Sequence, residues 1–284
     1  MPRNSPDNCL SATITDREFN LIRTLVYDRF GINLTEQKRS LVVGRLQKLL
    51  RDTGFKNFQD YYNHVISDPS DQALVSLINR ISTNYTYFNR EKAHFDLMQQ
   101  KTLPEISAKL KALGRRDLRI WSAGCSSGEE AYMLAILICE FFGNEYGFWD
   151  GGLLATDISE WVLSKAREGV YEAEQIKKIP KYLTGKYFTK KNDGRWQANE
   201  RLKKEVTFRK FNLMNKTFPF KKPFQIIFCR NVMIYFDEIT RTELVRRFYE
   251  AMEPDGYFFI GHSETLGRQQ NLFRYLMPAV YQRI

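Results

Sequence analysis

Glu129 and Glu130 stand side by side at the head of an apolar helical run, Ala131 to Ile136, directly after Arg119-Ile-Trp-Ser-Ala-Gly-Cys-Ser-Ser-Gly. An apolar run that turns through Gly124 and Gly128 into a helix is where α/β sheets bind ligands, outside the carboxyl end of a strand. Glycines at such a turn let the ligand approach the backbone closely. The turn has neither Gly-x-Gly-x-x-Gly nor Gly-Lys-Ser/Thr, so it is not a dinucleotide fingerprint or a P-loop. A phosphate docked on that helix N-terminus would meet two negative charges. S-adenosylmethionine would not, because its amino group and sulfonium are positive. The same residues also admit a plainer reading, in which both acids complement the helix dipole.

Asp157 ends a second apolar run, Leu153 to Thr156. Nucleotide-binding α/β folds hold ribose hydroxyls with an acid at this place. The alternative is a helix N-cap, since Asp157 and Ser159 precede Trp161 to Ala166; the glycine turn favours ribose. Arg230, Asn231 and Tyr235 follow a third run, Ile226 to Cys229, and would reach the same rim. Methylases of amide or adenine nitrogen carry Asn/Asp-Pro-Pro-Tyr/Phe there, and this chain has no such box. A carboxylate substrate needs no such help, because with a pKa near ~4.3 it is already ionised at neutral pH. It needs donors that position it, and Arg90, Arg230, Asn231 or Tyr235 could supply them. No metal is expected: His64, His94 and His262 are read as having no carboxylate or cysteine at metal-ligand spacing, and methyl transfer to a carboxylate requires neither metal nor general base.

These side chains need a scaffold. Short apolar runs (Leu118–Trp121, Leu153–Thr156, Gln225–Cys229, Tyr257–Ile260) alternate with helical stretches from about residue 81 onward. That pattern predicts parallel strands buried on both faces and a doubly wound α/β sheet. Tyr187–Thr189, Trp196–Ala198 and Val206–Arg209 predict short strands of a small antiparallel insertion at about 180–208. Residues 16–80 read as helical. Phe19, Ile22, Leu25, Val26 and Phe30 recur at helical spacing before Gly31; Leu41, Val42, Leu46, Leu49 and Leu50 form a second apolar side before Gly54; Phe58, Tyr61, Tyr62 and Val65 mark a third helix. Residues 1–15 are polar, lack a secretory signal and are expected to be a flexible tail.

The chain of 284 residues carries a formal charge of +10. Residues 165–222 hold 17 basic and 6 acidic residues, a net +11, and the remainder sums to −1. Basicity invites a nucleic-acid reading, with a solvated Lys-rich surface as the plainer one. A nucleic-acid methyltransferase is disfavoured by the missing Asn-Pro-Pro-Tyr box, the missing catalytic Cys pair and the lack of an aromatic–basic stacking surface. Cys9, Cys125, Cys139 and Cys229 are scattered, which argues against structural zinc and a disulfide framework and for a reduced, cytoplasmic protein. No apolar run is long enough to insert in a membrane.

Six segments in order carry a resemblance: Asn84-Tyr-Thr86-Tyr-Phe-Asn-Arg90-Glu, Ser-Ala-Gly-Cys-Ser-Ser-Gly-Glu-Glu, Ala-Thr-Asp-Ile, Phe211-Asn-Leu-Met, Phe228-Cys-Arg-Asn-Val-Met-Ile-Tyr-Phe and Gly261-His-Ser-Glu. Together they resemble the chemotaxis receptor methyltransferases, the CheR family. The resemblance implies an N-terminal all-α domain followed by a Rossmann-like methyltransferase domain with an inserted β subdomain. It implies S-adenosylmethionine as methyl donor and glutamate side chains on cytoplasmic helical segments of chemotaxis receptors as acceptors; separately, the chain is expected to be a monomer. Cofactor contacts are implied for Asn84, Thr86, Arg90, Glu129, Asp157, Asn212, Leu213, Arg230 and Asn231, and Arg90 and Tyr235 are implied to lie near the transferred methyl. The basic helix bearing Lys38, Arg39, Arg45, Lys48 and Arg51 matches the family's receptor-docking helix. Family members that bind a receptor-tail pentapeptide carry a longer Gly-x-Gly turn in the insertion, so this chain resembles the pentapeptide-independent type. One departure is visible: Phe88-Asn89-Arg90 stands where the family usually has Phe-Phe-Arg, putting the placement of Arg90 in question. The rival to an active enzyme is a module that senses S-adenosylmethionine without transferring methyl.

Overall fold

The computed structural model describes residues 13–82 and 85–284. Asn84 and all of the expected tail except residues 13–15 lie outside the described residues. The chain divides into two compact units, Met1–Asn84 and Tyr85–Ile284.

Among its described residues the first unit holds four α-helices: α1 (Asp16–Phe30), α2 (Arg39–Thr53), α3 (Phe58–Ser67) and α4 (Gln72–Ile81). Thr15 and Glu18 form a reciprocal capping box at the start of α1, satisfying two amides that have no partner within the helix. Gly31 and Gly54, both left-handed, end α1 and α2. Phe19, Ile22, Val26, Leu46, Leu49, Phe58, Tyr61, Leu74 and Leu77 are buried and supply the core. Leu41 departs from expectation. It is 54% exposed and lies outside the apolar side formed by Val42, Leu46, Leu49 and Leu50.

The second unit runs α5 (Lys92–Leu97), α6 (Leu103–Ala112), β1 (Asp117–Ala123), α7 (Glu129–Phe142), β2 (Asp150–Asp157), α8 (Glu160–Glu168), β3 (Val170–Tyr171), α9 (Ala173–Ile176), α10 (Lys181–Tyr187), β4 (Phe188–Lys190), β5 (Trp196–Ala198), α11 (Glu200–Lys204), β6 (Val206–Lys210), β7 (Phe224–Cys229), α12 (Glu238–Glu250), β8 (Met252–Ile260), β9 (Phe273–Met277) and β10 (Val280–Arg283). The main sheet has the order β6-β2-β1-β7-β8-β10-β9. The first five strands in that order pair in parallel, and the β8/β10 and β10/β9 pairs are antiparallel. Side chains alternate across the sheet. Ile120, Ile226, Phe228 and Phe259 enter one core, whereas Trp121, Ile227, Phe258 and Ile260 enter the other. Burial on both faces explains why these strands read as continuous apolar runs.

A second sheet has the order β3-β5-β4, and its composition corrects one expectation. The strand expected at Val206–Arg209 as part of the insertion pairs instead in parallel with β2 at the edge of the main sheet. Val170–Tyr171 supplies the third strand of the small sheet, antiparallel to β5. No described helix is long and apolar enough to cross a membrane.

Candidate functional site

From β1 the chain steps outward through β2 to β6, and β7 then begins the other half of the sheet. The carboxyl ends of β1 and β7 therefore flank the topological switch point, where such sheets bind ligands. The turn after β1 is left-handed at Gly124 (φ 85°), Ser126 (φ 49°) and Gly128 (φ 94°). At Gly128 a Cβ would come within 3.0 Å of Ala166 and 3.1 Å of the Tyr171 hydroxyl, so both the crowding and the left-handed backbone favour glycine there.

Asp157 ends β2 and anchors this turn. Its Oδ2 accepts from the Ser126 amide at 2.9 Å and its Oδ1 from the Ser159 amide at 3.0 Å. Ser159, not Asp157, caps α8. Burial pushes the Asp157 carboxyl above its ordinary value, against the pull of those backbone amides. Each oxygen keeps a second acceptor position, the chemistry a ribose diol requires.

Glu129 begins α7 fully covered. Its Oε2 accepts from the Ser127 hydroxyl at 2.7 Å and its Oε1 from the Gln175 amide at 3.2 Å. Burial raises its pKa. Glu130 accepts from the Ser122 hydroxyl at 2.7 Å and pairs with Arg230 Nη1 at 3.0 Å. The two acids thus do more than complement the helix dipole.

Arg230, at the end of β7, is nearly inaccessible and joins three segments. It pairs with Glu91 Oε2 at 3.1 Å, pairs with Glu130, and donates to the carbonyl of Arg90. Burial opposes ionisation of Glu91, but Arg230 and the His262 amide together outweigh it and the carboxyl lies below its ordinary value. Arg90 donates from Nη1 to the Tyr85 carbonyl at 2.8 Å, with its guanidinium carbon 6.0 Å from the Tyr87 ring centroid. Asn231 is left-handed (φ 60°). Its amide N–H donates to Glu264, as do those of Met233, Ile234 and Gly261. Glu264 thereby fixes the 231–234 turn, from which Tyr235 follows. Asn212 Oδ1 accepts from the Met214 amide at 2.9 Å, half-buried Leu213 packs against the core on the Trp121 face of the sheet, and Thr86 is half-buried.

Sequence reasoning overlooked Glu91 and Glu264 as organising residues, although both lie inside the quoted motifs. It also missed a histidine cluster. Glu91 is three residues before His94, and their ligand atoms lie with one of His262 within 4.8 Å of one another, which corrects the reading that no carboxylate stands at metal-ligand spacing from a histidine. The Arg230 guanidinium already occupies the Glu91 carboxylate, which disfavours a second cation there.

The basic residues of α2, with Lys38 at its N-cap position, divide into two groups. Arg39 pairs with Asp16 at 2.5 Å and Glu36 at 3.4 Å, and Arg45 donates to the Ile81 carbonyl. Lys38, Lys48 and Arg51 are exposed, as is Leu41.

Two family profiles match the chain. One is "CheR methyltransferase, all-alpha domain" over residues 17–82, and the other is "CheR methyltransferase, SAM binding domain" over residues 84–281. A chemotaxis protein methyltransferase of Borreliella burgdorferi is 46% identical over 96% of each chain. That of Escherichia coli is 35% identical, over 94% of this chain and 91% of its own. Chemotaxis protein methyltransferase 2 of Pseudomonas aeruginosa is 37% identical, over 94% and 93%. The glycine turn, the ribose-competent acid and the carboxylates at the α7 N-terminus fit S-adenosylmethionine, and the chain belongs to the CheR methyltransferase family, the S-adenosylmethionine-dependent methyltransferases of chemotaxis.

Proposed function

We propose that the chain esterifies glutamate side chains of chemotaxis receptors, with Arg90, Asn231 and Tyr235 forming the acceptor side of the site. The observation that carries this reading is the commitment of the acids at the rim. Glu91 and Glu130 are both paired with Arg230, Glu129 is bonded to Ser127 and Gln175, and Glu264 and Asp157 are held by backbone amides. None is poised to take a proton from an incoming amine or hydroxyl. A glutamate side chain arrives ionised and needs no base, only donors. Arg90, whose Nη1 donates to the Tyr85 carbonyl, retains further N–H groups for it.

Bound S-adenosylmethionine supplies an electrophilic methyl group. The residues contribute placement: Asp157 takes the ribose hydroxyls, Glu129, Thr86, Asn212 and Leu213 make further contacts to the cofactor, and Arg90 aligns the acceptor oxygen. Holding two reactants in line removes much of the entropic barrier to their encounter. The four-helix unit docks the receptor through the exposed part of α2.

Incubation with labelled S-adenosylmethionine and a receptor cytoplasmic fragment tests this reading. Label released as methanol by mild alkali is expected; alkali-stable label would point to nitrogen methylation and overturn it.

A further inference from the structure

Lys178 lies exposed between α9 and α10, and its Nζ is 4.9 Å from the centroid of the Tyr87 ring. The Arg90 guanidinium approaches the same ring. One aromatic ring therefore carries two cations, each attracted to its face and each repelling the other. Among the described residues neither is paired with a carboxylate.

What brings Lys178 there is Asn89. Its Nδ2 donates to the Lys178 carbonyl at 2.8 Å, and its backbone is left-handed at φ 61°. Asparagine is among the few residues that adopt that conformation readily. Phe88, just before it, is fully buried edge-on to Tyr171 and Phe188. The carbonyl of Arg90, just after it, is held by Arg230. Asn89 is thus a latch between the Arg90 loop and the segment leading into the small sheet. A phenylalanine at this position could not form it.

On the glutamate reading of the site, we propose that Lys178, set beside Arg90 by the Asn89 latch, is a specificity residue that receives a second carboxylate of an acidic helical substrate. An acidic helix presents side chains three or four residues apart on one face, with ~5–6 Å between Cβ atoms. Two cations 6.0 and 4.9 Å from one ring centroid can serve two such side chains, one for the carboxylate to be methylated and one for its neighbour.

The test is initial rates on an acidic helical receptor fragment with S-adenosylmethionine saturating. Lys178→Met is expected to raise the fragment's KM about three- to fivefold at low ionic strength, as removal of a rim charge does, with kcat moving less. The difference shrinks as salt screens the pair. Lys178→Arg restores KM, and Asn89→Gly, which keeps the backbone angle and loses the amide, raises it. An unchanged KM in Lys178→Met at low salt overturns the role of Lys178 and leaves glutamate methylation standing. So does an equal rise on a fragment whose neighbouring acids are glutamine. If the wild-type chain forms no alkali-labile ester on any fragment, both readings fall.

Discussion

The Asp157 carboxylate ties Ser126 to Ser159 before any ribose reaches it, so removing it affects loop and ligand together. Asp157→Ala is expected to weaken S-adenosylmethionine binding by roughly 1.5–3 kcal/mol, the range for hydrogen bonds to a charged group. Calorimetry on the folded variant showing unchanged affinity would refute the ribose role. His94 leads to a second expectation at this scale. Burial, and then the nearby Arg230, lower its pKa from 6.5 to about 4. Between those values the unfolded chain binds more protons than the folded one, so stability is present above pH ~6.5 and is lost as pH falls toward ~4. The loss is on the order of 3 kcal/mol in full. Urea unfolding at pH 7 and pH 5 should show His94→Phe losing less stability over that interval than wild type; equal losses would dismiss His94 as the source. Neither Glu91 nor Glu264 could be assigned from sequence. Glu91 meets Arg230 across 139 residues and Glu264 meets the Asn231 amide across 33, and such pairing leaves no local pattern.

Helix α2 shows how an element divides among tasks. Arg39 and Arg45 are committed within the four-helix unit, to Asp16 and Glu36 and to the Ile81 carbonyl. Lys38, Lys48 and the exposed Leu41 remain for a partner. The double change Lys38→Glu and Lys48→Glu is therefore expected to raise receptor KM about three- to tenfold at low salt and to leave cofactor affinity unaltered. Arg45→Glu should lower thermal stability as well, because it strips the last turn of α4 of a donor. A receptor KM indifferent to the Lys pair would end the docking role. The helices themselves were legible, since apolar spacing and glycine stops define them. The edge strand β6 was not placed correctly for a physical reason. Val206 and Phe208 are buried while Thr207, Arg209 and Lys210 are exposed, and a strand covered on one face reads like one from a small antiparallel sheet. Strand β3 is two residues long, too short to have a period.

At the scale of the whole chain, charge and topology bear on how the substrate is held. The central segment, residues 165–222, carries the net +11, and several of its cations have local partners, such as Lys186 with Glu140 and Arg195 with Asp193. The small sheet ends in a tight hairpin. Lys191 N–H donates to the Arg195 carbonyl at 2.8 Å, Gly194 N–H to the Lys191 carbonyl at 3.0 Å, and Gly194 is left-handed at φ 86°. A three-residue loop of this kind needs one left-handed residue and no more. A peptide added to a sheet edge gains affinity from backbone hydrogen bonds and specificity from pockets for alternate side chains. A turn this short offers no wall from which to build such a pocket. The chain is therefore expected not to depend on a receptor-tail tether, and to draw an acidic receptor body by long-range attraction that weakens with salt. Titration with a Trp- and Phe-containing tail pentapeptide should give no binding in the micromolar range. Deleting the tail from a receptor should leave its methylation rate within about twofold, whereas raising ionic strength from low to physiological should slow that rate several-fold. Micromolar binding of the pentapeptide, or a rate that collapses when the tail is removed, would show that the edge of the small sheet captures peptide despite its short turn.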